Sequence, residues 1–307
     1  MGLTPTVAII GPGRVGTAIG VLAPRYGYRV VGVGGRRLET ARRAAELIEG
    51  DPVACDILTA AARAELVLLT VSDDSIGTVA AELVEHEALE EGASVVHLSG
   101  ALSSTVIAAV RQLGCYVASA HPMQTFSNVE SAIRGLNGCY WFCEGDPEAL
   151  ETMGGLIAAL DGHVVDISAD RKVDYHLSAV FACNYLVVLM DVALTMAERA
   201  GIDRKTAWAA LSPMIGLTLS NVGEMGARAA LSGPIRRGDY DTIVSHLATL
   251  PSQAEAIGDL YRVLGAWATE LCREEGYLGD EIADRLLAQL SGEPDQTPHV
   301  NDPNPEA

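Results

Sequence analysis

The chain has 307 residues, 49% of them apolar, which is enough for two domains of ordinary size with a large core. Its formal net charge of −19 excludes a nucleic-acid partner, because a phosphate backbone needs a basic surface, and favours solubility instead. The six cysteines, Cys55, Cys115, Cys139, Cys143, Cys183 and Cys272, show no CxxC pair and no zinc spacing, so they read as small buried hydrophobes in a reducing cytoplasm with no metal site.

The first apolar run, residues 6–10, reads as a strand that starts too early to leave room for a signal peptide. Gly11-Pro12-Gly13-Arg14-Val15-Gly16 follows it, matches GxGxxG and opens a helical stretch to Ala23, before a second apolar run at 29–33. Strand, turn, helix, strand is the setting in which GxGxxG signals a dinucleotide site. The first glycine permits the tight bend, the second lets backbone N–H groups approach a pyrophosphate, and the third lets helix pack on strand. The helix N-terminus aims its free N–H groups and partial positive charge at the phosphates.

The second strand ends in Gly34-Gly35-Arg36-Arg37, with no carboxylate before Glu39. An NAD site places an acidic residue about 20 residues past the glycines to bind the ribose 2′-hydroxyl. Two guanidinium forks at that point predict NADP, whose 2′-phosphate takes charge-assisted, bidentate donors. The alternative is that Arg36 and Arg37 begin a solvated helix continued by Arg42 and Arg43.

Further strands are expected at 66–71, 94–98, 115–118, 138–143 and 163–166, with helices at 75–84, 103–113 and 147–160. This alternation predicts an α/β Rossmann-type doubly wound sheet over 1–166, with ligands outside the carboxyl ends of its strands. After Asp166 only helical patterns remain, at 170–200, 204–222, 240–250, 252–274 and 280–290, so 167–290 reads as an all-α substrate and dimerisation domain. The apolar stretch 177–194 contains Asn184 and Asp191 and is expected to be a buried helix, so no membrane span is predicted. Residues 291–307, rich in Pro, Asp and Asn, read as a disordered tail. A dinucleotide domain followed by a helical one puts the expected active site in the cleft between them.

Three groups fall at carboxyl ends of the predicted strands: Thr70-Val71-Ser72-Asp73-Asp74, Ser99-Gly100 and Ser119-Ala120-His121-Pro122. Val71, Ser72, Ser99 and Gly100 are placed against the cofactor, with Ser72 and Asp73 also fit to cap the next helix. His121 offers an imidazole for binding a carboxylate or moving a proton. Only Lys172 and Lys205 are lysines among 21 basic residues, which invites a chemical role for Lys172. Lys172 and His176 share one helix face, and Asn184 lies within about 80° of it. A lysine desolvated by burial can donate a proton to a carbonyl or imine that receives hydride; the alternative is a surface ion pair with Asp170 or Asp174. Further along, Ser232, Gly233, Arg236, Arg237, Asp239 and His246 form a turn and helix start in which the arginines are expected to clamp a substrate carboxylate. Asp239 suits a helix N-cap equally well.

The pattern resembles the 6-phosphogluconate dehydrogenase-like superfamily, and within it the branch that joins a Rossmann-like domain to a C-terminal domain of unknown function. The resemblance rests on the glycine turn, His97-Leu98-Ser99-Gly100, His121-Pro122 with Thr125-Phe126, Lys172 with Tyr175-His176, Asn184, and Ser232-Gly233-Pro234-Ile235 with Arg237-Gly238-Asp239. It implies a catalytic lysine at the start of the interdomain helix, which Lys172 fits, and a substrate-binding asparagine four residues later, where this chain has His176. It also implies a homodimer built on the long helix. The expected activity is NADP-dependent reduction of a small, carboxylate-bearing carbonyl or imine, ketopantoate first and pyrroline-5-carboxylate or another imine next. The alternative is an NADP-binding redox sensor or regulatory subunit without turnover.

Overall fold

Residues 4–250 and 255–292 are described by the computed structural model. The first residues of the helix expected at 252 and the expected tail from 293 onward lie outside that range. The chain forms two compact units, Met1–Val187 and Val188–Ala307. The division falls inside the long helix, later than Asp166, where the strands stop.

The first unit is built on an eight-stranded sheet: β1 Val7–Ile10, β2 Val30–Gly34, β3 Val53–Cys55, β4 Leu66–Leu69, β5 Ser94–His97, β6 Tyr116–Pro122, β7 Tyr140–Gly145 and β8 His163–Asp166. The strand order is β3-β2-β1-β4-β5-β6-β7-β8, parallel throughout except for the antiparallel pair β6–β7. Every residue of β1 and β4 is buried, as uninterrupted apolar runs require when helices cover both faces. On one face α1 (Arg14–Leu22) and α6 (Pro147–Ala159) contribute Ala18, Ile19, Leu22, Met153 and Leu156 to the core. On the other, α3 (Ile57–Ala61), α4 (Asp73–Glu85) and the 3-10 segment Ser104–Leu113 contribute Ile57, Ile76, Leu83, Ile107 and Val110. Between them in sequence lie α2 (Leu38–Ala45) and α5 (Val129–Leu136). The order reverses between β1 and β4, the switch point where doubly wound sheets open a ligand crevice.

The unit ends in a continuous helical run: a 3-10 turn Ala169–Arg171, α7 Lys172–Ala179 and a π-helical turn Val180–Tyr185, leading into α8 Leu186–Arg199. The second unit continues with α9 Arg204–Met225, α10 Ala227–Ala230, α11 Pro234–Arg237, α12 Tyr240–Thr249, α13 Glu255–Glu274 and α14 Asp280–Ser291. Its small core gathers Ile243, Cys272, Leu278, Ala283, Leu286 and Leu290.

Three expectations are corrected by the structure. Strand β3 was not foreseen, because three residues at a sheet edge with Val53 exposed carry no periodic signal. Strand β6 continues through His121 and Pro122, because its antiparallel pairing with β7 extends the ladder four residues past the predicted end. The apolar run 177–194 is not buried: no residue of α8 is fully buried, and Phe181, Val187 and Val188 are 61%, 66% and 52% exposed. By length and apolarity Ala169–Arg199 could also span a membrane, but Lys172 at its start donates to Ser119 of strand β6.

Candidate functional site

A cavity of about 540 Å³ opens at the switch point, lined by Gly11, Pro12, Gly13, Arg36, Arg37, Thr70, Val71 and Ser72 among others. The three glycines there are required for three different reasons. Gly11 has φ +91°, and a Cβ on it would lie 2.5 Å from Val71 Cγ1 and 2.8 Å from Val71 N. A Cβ on Gly16 would lie 2.2 Å from Thr70 Oγ1, at the point where helix α1 packs on the sheet. On Gly13 it would meet nothing closer than 3.9 Å, so that glycine faces open space. The Thr70 hydroxyl pins the turn from beneath by donating to Gly11 O at 2.6 Å. No side chain caps α1 and no acid occupies its first turn, so its N-terminus is left to an anion. Arg14 turns away and donates to Phe126 O at 3.2 Å, while Val15 and Gly16 pack inward.

Arg36 and Arg37 line the cavity, are exposed and make no ion pair among the described residues. Arg43 pairs with Glu39 on α2, so the first carboxylate after the strand is engaged away from a ribose. The site thus fits a dinucleotide with an extra phosphate. Ser72 stands at the N-cap position of α4, but its hydroxyl meets Ser75 Oγ at 3.1 Å, and no side-chain cap forms.

Asp73 departs from the capping expectation as well. Its carboxylate accepts from Ser99 Oγ at 2.8 Å, and Ser99 Oγ accepts in turn from the N–H groups of Ala101 and Leu102. This fixes the turn after β5, on which a second cluster converges. Lys172 is 1% exposed, and its Nζ donates to Ser99 O at 2.8 Å and to Ser119 Oγ. The surface ion-pair alternative fails because Arg171, not Lys172, pairs with Asp170 and Asp174. Burial pushes the Lys172 ammonium down to about 8, against the opposing pull of the Glu144, Cys143 and Asp73 charges.

Beside it, His121 Nδ1 and the Tyr175 hydroxyl lie 2.6 Å apart. Tyr175 stacks on Phe142 at 4.1 Å and 26°, and Phe142 pairs with His121 across β6–β7. Burial, then the charges of Lys172 and His176, lowers His121 to about 4, so it is neutral near pH 7. The His176 ring lies 5.9 Å from that of His121, edge to face. Gly100 separates the two imidazoles: a Cβ there would lie 2.4 Å from His176 Cδ2 and 3.0 Å from His121 Nε2.

Asn184 falls on the π turn. The turn spans Val180–Tyr185, and Asn184 is exposed on it. Sequence reasoning placed Thr70 and Ser119 at strand ends and Tyr175 in a motif without giving them a role, and it passed over Phe142. The i, i+2 alternation that puts Ser119 and His121 on one face of β6 was the signal available for Ser119.

The predicted substrate residues of the second unit have local partners. Arg236 donates to Ala229 O and Leu231 O, each at 2.7 Å, and its guanidinium lies 3.8 Å over the Tyr277 ring. It therefore holds the α10–α11 turn. Arg237 pairs with Asp239, which makes no side-chain cap to α12. His246 Nδ1 meets the Tyr261 hydroxyl at 2.9 Å. Ser232 is exposed, and Gly233 takes φ +98° before Pro234.

A Rossmann-like domain model matches residues 4–122, and the model of the domain of unknown function DUF2520 matches 139–268. The chain joins a Rossmann-like domain to a DUF2520 domain. That is the pairing within the 6-phosphogluconate dehydrogenase-like superfamily that the sequence resembles. None of the curated proteins matches it. Among solved structures, a Bacteroides fragilis protein provisionally named an NADP oxidoreductase is 25% identical, with a TM-score of 0.71 over 87% of this chain and 98% of that one. A Thermotoga maritima protein is 24% identical, with a TM-score of 0.65 over 88% and 98% of the two chains. An imine reductase from Myxococcus stipitatus, in complex with NADP+, shares the fold at 19% identity and a TM-score of 0.57 over 94% and 93%.

Proposed function

We propose that this protein is an NADP-dependent oxidoreductase that reduces a small carbonyl or imine compound, with a carboxylate-bearing substrate such as ketopantoate first among candidates. The observation that carries the reading is Lys172, the one lysine of the first unit, buried against Ser99 and Ser119 with its charge felt at His121, and held at a pKa of about 8. A buried cation costs stability, and this one forms no ion pair among the described residues that would offset it. The name of the Bacteroides fragilis neighbour and the bound NADP+ of the imine reductase support the cofactor. When bound, a reduced nicotinamide dinucleotide supplies the hydride. The glycine turn and the α1 N-terminus would hold its pyrophosphate, and Arg36 and Arg37 its 2′-phosphate.

Lys172 then gives a proton to the substrate heteroatom, so that hydride and proton together turn C=O into CH–OH or C=N into CH–NH, and solvent reprotonates the amine. His121 and His176 orient the substrate, and Asn184 binds a part of it further along the helix. The test is a fluorescence titration with NADPH and NADH, followed by absorbance of the reduced nicotinamide as ketopantoate, then pyrroline-5-carboxylate and other carbonyls and imines, are added. Turnover with any of them supports the reading; tight NADPH binding without turnover across the series points to a sensor.

Replacing both Arg36 and Arg37 by Ser is expected to weaken NADPH binding by about tenfold or more and leave NADH within about threefold, since only the 2′-phosphate loses its charge-assisted donors. Equal losses for the two cofactors in isothermal titration would refute the assignment.

The same reading takes the protein as a cytoplasmic homodimer. Val173, Leu177, Phe181, Tyr185 and Val187 leave an apolar stripe exposed at the end of the first unit, and Trp208, Met214 and Leu217 do so on α9 of the second. Apolar surface on this scale marks an interface, and the resemblance implies a second copy as its partner. Phe181→Asp combined with Leu217→Asp should convert the dimer to a monomer in sedimentation. A monomeric wild type would overturn the proposal.

A further inference from the structure

Resting on the reductase reading, we infer that Tyr175 is a positioning residue that fixes His121 as a hydrogen-bond donor at Nε2, and that the site therefore takes a carbonyl oxygen in preference to a protonated imine. The Tyr175 hydroxyl is buried, and its hydrogen-bond partner is His121 Nδ1. If the phenol accepted from Nδ1–H, its own proton would be buried without an acceptor, which is the costly case for a buried polar group. Donation to Nδ1 gives the phenol proton its acceptor. In the neutral ring the remaining hydrogen is then on Nε2.

The ring cannot easily turn away from this arrangement. Tyr175 is clamped on Phe142, which is paired across the ladder with His121 itself. Nε2 lies 3.0 Å from where a Cβ on Gly100 would stand, and Lys172 Nζ lies 2.8 Å from the carbonyl of Ser99. Two donors thus flank the Ser99–Gly100 peptide. An ammonium carries three hydrogens, and Ser99 O and Ser119 Oγ take two of them. A carbonyl oxygen that gains negative charge during reduction accepts from both groups, in the manner of an oxyanion hole. A protonated imine presents N–H at the reacting atom, so it faces donors and a like charge.

The tautomer can be read by ring 15N NMR of histidine-labelled protein without cofactor or turnover, with His121→Gln supplying the assignment. The wild type is expected to show His121 as the Nε2–H tautomer and neutral down to about pH 5, and Tyr175→Phe, which keeps the ring stack, a mixture of tautomers. An Nδ1–H ring in the wild type, or an unchanged tautomer in Tyr175→Phe, overturns the positioning role. In the NADP+-loaded protein, oxamate is expected to bind at least about tenfold tighter than pyrrolidinium and to shift the His121 Nε2–H resonance; equal or reversed affinities overturn the substrate class. His121→Gln, whose amide can donate near the Nε2 position, should keep oxamate binding within about threefold, whereas His121→Ala should not. Equal losses in both would reduce His121 to packing. Because the tautomer is read on the resting protein, failure of every turnover assay would count against the reductase and leave this assignment standing.

Discussion

Replacing Lys172 by Met should lower kcat by about 10²–10⁴, the usual worth of a positioned proton donor, while NADPH affinity stays within a few-fold. The substitution keeps the length and apolar stem of the side chain and removes only the ammonium. Near wild-type turnover in Lys172→Met would show that the proton comes from elsewhere. The wild-type pH profile follows from the same group. The donor must be protonated, so kcat for reduction is level below about pH 8 and falls tenfold per unit above it, because burial has brought the ammonium down to about 8.

Folding stability moves the opposite way. Lys172 has a folded-state pKa below its ordinary 10.5, so between about 8 and 10.5 the unfolded chain holds the proton that the native state has released. Raising pH through that window therefore stabilises the wild type relative to Lys172→Met, by up to about 3 kcal/mol for a shift of this size. Denaturant unfolding of the two proteins at pH 7.5 and pH 10 measures it. A difference that stays constant with pH would mean that the lysine is not desolvated.

The glycine turn gives the second large effect, as a contrast between neighbours. Gly11→Ala puts a Cβ into a left-handed conformation at φ +91° and within 2.8 Å of a backbone nitrogen, so the turn must shift. A loss of about 3–5 kcal/mol in stability, together with loss of dinucleotide binding, is expected. At Gly13 φ is −80° and the added methyl meets no atom within 3.9 Å. Gly13→Ala should therefore melt like the wild type, yet bind NADPH at least about tenfold more weakly, because the methyl occupies the approach of the pyrophosphate. If Gly13→Ala bound NADPH normally, the dinucleotide would not lie across this turn.

Much of the frame was legible in the sequence because it is local. Residues 7–10 and 66–69 are apolar without interruption, and the structure buries all of them between two helical layers. The glycine spacing and the arginine pair sit within one strand–turn–helix–strand unit, and both line one cavity. The π turn that carries Asn184 was not legible, because apolar spacing does not tell it from an α turn. Arg236 was expected to meet a substrate, but two backbone carbonyls and the Tyr277 ring claim it, the last from 41 residues downstream.

The sequence by itself determined the doubly wound sheet, its dinucleotide turn and the change to an all-helical second half, since each depends on periodicity and on glycines close in the chain. Lys172 could be singled out by its rarity, although not by its surroundings. Only the tertiary structure decided that its ammonium is desolvated between Ser99 and Ser119, and that Tyr175 meets His121 across 54 residues. Those contacts exist because β6 and β7 pair antiparallel, which brings Phe142 opposite His121 and gives Tyr175 a ring to stack on. A ladder between distant strands is fixed by the packing of the whole sheet, and no local pattern of residues encodes it.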